Sequence, residues 1–162
     1  MLKKLQNKEQ GFTIIEVMIV LVIAAVILLI VFLAVPALQR NSRNTQYNNE
    51  ASAISAAASE WVSNNNNGAI PTNGTQATAA GTAIKTLANA QNITTVNGFT
   101  GTTAAITPTT AVATVIFSAT CGTANATNTT YTPAAGSTRQ AVIYYGVEST
   151  SGTIAKCIQT GV

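Results

Sequence analysis

The chain has 162 residues, a formal charge of +3 and only 8% charged residues, and it contains neither histidine nor aspartate. That length suits one modest domain plus an appendage. The missing residue types are those most often used for acid–base catalysis and metal binding, so an enzyme is not expected and no cofactor is implied.

Lys3, Lys4 and Lys8 come first, and Arg40 and Arg43 follow the apolar stretch that begins after them. Three basic residues before that stretch and two after it give a mild preference for a cytoplasmic N-terminus. No basic run elsewhere marks a nucleic-acid face. Val17 to Val35 is an uninterrupted run of nineteen apolar residues, enough to cross roughly 28 Å as a helix. Fifteen of them are Leu, Ile, Val or Phe, which together favour insertion by about 5 to 9 kcal/mol. Glu16 costs at most about 3 kcal/mol on the same scale and less near the end of a span, so insertion wins despite it.

Two plain readings of Glu16 follow. It could be an interfacial residue that reaches toward the headgroups. Alternatively, residues 1–37 could be a secretory signal, with Val35 and Ala37 as the small residues before a cut at Leu38. The apolar run is longer than the roughly 7–15 residues usual in such a signal, and a signal has no need of Glu16.

A third reading comes from the leader "MLKKLQNKEQ", then Gly11, then "FTIIEVMIVLVIAAVILL". This arrangement resembles the N-terminus of type IV pilins and their relatives. The resemblance implies that a prepilin peptidase cuts between Gly11 and Phe12, that Phe12 is N-methylated, and that Phe12 and Glu16 serve subunit assembly. The cut leaves an α-amine about one helical turn from the Glu16 carboxylate. In a bundle of stacked helices, that amine could pair with Glu16 of a neighbour and penalise a misplaced subunit, because an unpaired charge there would cost several kcal/mol. Methylation retains the amine's charge. Family members commonly carry a proline nearer the helix start than Pro36. Pro36 itself leads to the expectation of a bend or local opening near residues 32–36.

The resemblance spans roughly residues 1–40. It implies a membrane-anchored precursor that later joins an extracellular filament. The implied partners are other copies of the chain, the peptidase, the inner-membrane pilus assembly machinery and, before assembly, the membrane.

Past the apolar run, Tyr47, Ala51, Ile54, Ala58 and Trp61 recur at helical spacing and leave one narrow apolar stripe. The stripe reads as packing against a sheet. A helix from about Phe12 to Ser63 would be roughly 75 Å long, and "SNNNNGAIP" stops it. Beyond Gly68 the chain is rich in Thr, Ala and Gly. "TAIKTLANAQN" at 82–92 predicts one short helix, and strands are predicted at Val112–Thr120, Arg139–Val147 and Thr153–Gln159. The last two are joined by "ESTSG" as a hairpin in an antiparallel sheet.

Cys121 and Cys157 both fall in or beside predicted strands. Outside the cytoplasm a disulfide is the natural reading, worth about 4 kcal/mol in the chain-entropy model; two unpaired buried thiols are the alternative. Two cysteines without histidine cannot complete a zinc site. Four N-x-Thr triplets, at Asn73, Asn92, Asn125 and Asn128, are expected from composition alone.

The expected fold is therefore α+β and pilin-like, a long N-terminal helix, membrane-spanning and then amphipathic, packed on a small antiparallel head. Its parts are a leader at 1–11, a transmembrane and filament-core helix at 12–35, an amphipathic half at 36–67 and a β-rich head at 68–162. The resemblance further implies an exposed loop bounded by the C-terminal disulfide. The expected function is a structural type IV pilus subunit serving adhesion, motility or DNA uptake. The rivals are a pseudopilin of a secretion system and an anchored or secreted surface-binding domain that never polymerises. Absent aspartates argue mildly against a calcium-built head, and the cysteine pair leans toward a pilin.

Overall fold

The computed structural model describes residues 11–65, 68–101 and 105–162. Residues 1–10 of the expected leader lie outside the described residues. The chain divides into two units, one ending at Gln39 and one beginning at Arg40.

Helix α1 (Ile14–Asn65) starts in the first unit and continues into the second. Pro36 lies inside it without interrupting it, so the local opening expected at 32–36 is not present. Proline removes a single bond, the one its own N–H would make to the carbonyl of Phe32. Of the nine residues from Phe32 to Arg40, six are Leu, Ala, Gln or Arg, all good helix formers. In the first unit every described side chain is exposed, from Gly11 to Gln39. The helix is long and apolar enough there to cross a membrane.

Among the described residues, the second unit holds the rest of α1, helix α2 (Gly74–Ala88) and six strands. Strands β1 (Thr95–Thr100), β2 (Val112–Phe117), β5 (Gln140–Ser149) and β6 (Gly152–Gly161) form one sheet in the order β1-β2-β5-β6. Strands β3 (Ala119–Ala124) and β4 (Tyr131–Ala135) form a separate antiparallel pair. Period-2 alternation sorts the large sheet's side chains onto two faces. Ala113, Val115, Phe117, Ala141, Ile143, Tyr145 and Val147 join Ala51, Ile54, Ala58 and Val62 of α1 and Ala80 and Ile84 of α2 in the main core. On the other face Ile116, Val142 and Tyr144 meet Ala119, Cys121 and Tyr131 from β3–β4.

The structure corrects two expectations about the head and adds a strand to its sheet. The three predicted strands pair antiparallel, β2 with β5 and β5 with β6, and β1 joins β2 in parallel from Thr95↔Val112 to Thr100↔Phe117, so the sheet is mixed. The strand expected to run through Thr120 breaks at Ser118, whose φ of +59° turns the chain out of β2 into a second sheet. The short helix lies at 74–88 rather than 82–92. Asn73 caps it by accepting from the Gln76 N–H at 2.9 Å, while Gln76 Oε1 accepts from the Thr72 N–H at 3.1 Å. Asn89, in the left-handed region at φ 50°, closes its end.

Alpha-helical cover of the sheet edge depends on two glycines. The amides of Thr95 and Gly101 donate to Ala111 and Phe117 on the β2 side, so the even-numbered backbone groups of β1 face outward. Gly81 of α2 sits against them: a Cβ on it would lie 2.5 Å from the Val96 carbonyl oxygen, and one on Gly98 would lie 1.7 Å from the Ala77 carbonyl oxygen. The helix therefore covers an edge that would otherwise be open to strand pairing.

Candidate assembly site at the helix start

Gly11, Phe12, Thr13 and Glu16 lie within about one turn of one another at the start of α1. Thr13 is in the N-cap position and Glu16 three residues on, a reciprocal capping box. The Glu16 Oε2 atom accepts from the Thr13 N–H at 2.9 Å and the Thr13 hydroxyl at 2.7 Å. The Glu16 N–H in turn faces the Thr13 Oγ1 at 3.4 Å and the Thr13 carbonyl at 3.1 Å. Sequence reasoning took Glu16 without its partner, although Thr-x-x-Glu ahead of an apolar run is a legible signal for this arrangement.

Glu16 Oε1 accepts no hydrogen bond among the described residues. Phe12, Val17, Val20 and Leu21 line the surface around the carboxylate, so its free oxygen lies on an apolar face. Phe12 is 89% exposed. A Cβ built on Gly11 would meet nothing within 4 Å among the described residues.

Cys121 of β3 and Cys157 of β6 are joined in a disulfide, with their Cα atoms 5.9 Å apart. The bond ties the small sheet to the large one. Beside it the buried Tyr144 hydroxyl donates to the Cys121 carbonyl at 2.8 Å, and burial, with the neighbouring Tyr131, pushes that phenol up to about 12.

Two acids, Glu50 of α1 and Glu148 of β5, tie the helix to the rest of the head. Partial burial pushes the Glu50 carboxyl up, but the N–H groups of Asn92, Ile93 and Gln91 and the Asn92 side-chain amide outweigh it and leave the group below its ordinary value. The bonds to Ile93 and to the Asn92 side chain are 2.7 and 2.6 Å. Glu148 is gripped by the Arg43 guanidinium at 2.8 and 2.7 Å, which holds its carboxyl below the ordinary value. No local pattern in the sequence announces either contact, because the partners lie about forty and one hundred residues away. Among the described residues no three His, Cys, Asp or Glu side chains gather as a metal site would require.

Residues 6–32 match the family model of the prokaryotic N-terminal methylation motif, the signature of type IV pilins and prepilins. The match supports a type IV pilin-like or pseudopilin protein, and it implies prepilin peptidase processing and pilus assembly machinery in general. With the exposed apolar helix, it fits a membrane-anchored precursor. The long helix and the sheet-based head make the fold α+β and pilin-like. No curated protein and no solved structure matches the chain.

Proposed function

We propose that the chain is the structural subunit of an extracellular type IV pilus filament. It is cut after Gly11, methylated at Phe12, and added to the fibre by pairing Glu16 with the Phe12 amine of a neighbouring copy. Such a fibre serves adhesion, twitching motility or DNA uptake.

The half-engaged Glu16 carboxylate is the observation that carries this reading. Burying it among apolar helices without a cation would cost several kcal/mol. Between Lys8 and Arg40 the sequence has no Lys or Arg, and Lys8 departs with the leader. The amine released at Phe12 is then the positive group closest in sequence, and the free Oε1 is open to receive it. Gly11 is consistent with this. Among the described residues nothing would crowd a side chain there, and a need for glycine at the cut belongs to the peptidase.

Mass spectrometry of the mature N-terminus tests the processing, with N-methyl-Phe12 expected. A mature chain starting at Leu38 or retaining Met1 refutes it. Glu16→Ala tests the assembly step. The variant should insert and be trimmed normally yet yield few fibres, and a wild-type fibre yield would remove Glu16 from the mechanism.

A further inference from the structure

Among the described residues, Arg43 and Asn44 are the first along α1 whose side chains hydrogen bond to the sheet. Both converge on Glu148. Strand β5 runs on past Tyr144, where its pairing with β2 ends, so its later backbone groups on that side need other partners. The Gly146 N–H takes the Thr109 carbonyl at 3.2 Å. At Glu148 the Asn44 side-chain amide replaces a strand: its Oδ1 accepts from the Glu148 N–H at 2.7 Å and its Nδ2 donates to the Glu148 carbonyl at 2.8 Å. Arg43 holds the carboxylate of the same residue with two further bonds. Four bonds from two adjacent helix residues thus end on one strand residue.

The next rung is Tyr145, whose hydroxyl donates to Asn48 Oδ1 at 2.8 Å. Near the far end of the helix the Ser59 hydroxyl donates to the Gly161 carbonyl, and Gly161 pairs with Gln140 at the start of β5. Helix α1 therefore runs antiparallel to β5. Tension on its N-terminal end reaches Glu148 before any other part of the sheet. Glu148 also lies between Cys121 and Cys157, inside a loop that the disulfide closes over a separation of 36 residues. That segment cannot lengthen under tension while the bond is intact.

We infer that Arg43, Asn44 and Glu148 form a mechanical clamp that passes tension from α1 into the disulfide-closed part of the head, so that the helix is not peeled from the sheet. The inference rests on the fibre reading only for the source of the tension. The clamp itself belongs to a single chain.

Full-length protein in detergent micelles, held at constant force between handles on its two termini, tests it. Arg43→Gln and Glu148→Gln remove the charged pair and leave the backbone pair, and Asn44→Ala does the reverse. Each should shorten the lifetime before the helix strips, and Arg43→Gln with Asn44→Ala should shorten it about tenfold or more. Ser59→Ala, at the end that tension meets last, should leave the lifetime unchanged. Reduction of the disulfide should add the extension of the closed loop once stripping has occurred. Wild-type lifetimes in the double variant, or an equal loss in Ser59→Ala, overturn the clamp. Neither result bears on fibre formation, and a failed Glu16 test leaves the clamp standing.

Discussion

Between Gly11 and Gln39 every described side chain is exposed, whereas between Ala51 and Val62 the same helix buries Ala51, Ile54, Ala57, Ala58 and Val62. The two stretches differ in pattern more than in helix-forming tendency. The first is apolar on all sides, and a helix of that kind is stable only where its whole circumference leaves water, in lipid or among other helices. The second carries a stripe, and the head covers it. One helix is thus built for two surroundings, and only the second is supplied by the folded chain itself.

Breaking the head should have the largest effect. Cys157→Ser is expected to lower head stability by about 4 kcal/mol in denaturant unfolding of the full chain, with membrane insertion unchanged. An equal loss of insertion would mean that the two stretches are not energetically separate. A paired substitution sharpens the comparison more directly. Ile54→Ala, at a fully buried position, should cost about 2–4 kcal/mol. Ile27→Ala, at an exposed one, should leave head unfolding where it was. Similar shifts from both would show that the first stretch also packs on the head.

Glu50→Ala removes the acceptor that gathers three consecutive amides and should cost about 1–3 kcal/mol. Its clearest local readout is faster hydrogen exchange at Asn92 and Ile93. The smallest effects are those of pH. Glu50 and Glu148 are both held below their ordinary value of 4.5, so their contributions are complete above that pH and are lost as pH falls below it toward the folded values. Glu50→Gln should flatten part of this acid limb. Tyr144 shows the opposite sign. With its phenol raised from 10 to about 12, its contribution is present below pH 10 and is lost as pH rises toward 12. Tyr144→Phe should remove that alkaline limb, and an unchanged limb would place the titration elsewhere.

How much of this could be read in advance follows from the range over which each feature is encoded. The capping of α1 by Thr13 and Glu16, and of α2 by Asn73 and Gln76, is written within four residues. The stripe at Ala51, Ile54 and Ala58 was legible because burial repeats with the helical period. Strand β1 was missed. "TVNGFT" has a glycine at its centre and weak strand character, and its place is set by the close approach of α2 through Gly81 and Gly98. Ser118 likewise gives no local warning that β2 ends there.

The sequence by itself determined the leader motif, the nineteen-residue apolar run with its one flanking acid, the stripe that follows and the presence of two cysteines. Each is a short-range pattern whose physical meaning survives without knowledge of the fold. Only the tertiary structure decided that β1 joins the sheet in parallel, that the cysteines bridge two sheets, and that Glu50 and Glu148 hold the head to its helix. Those contacts join residues far apart in the chain, and a side chain's partner at such a distance is set by packing rather than by its neighbours in sequence.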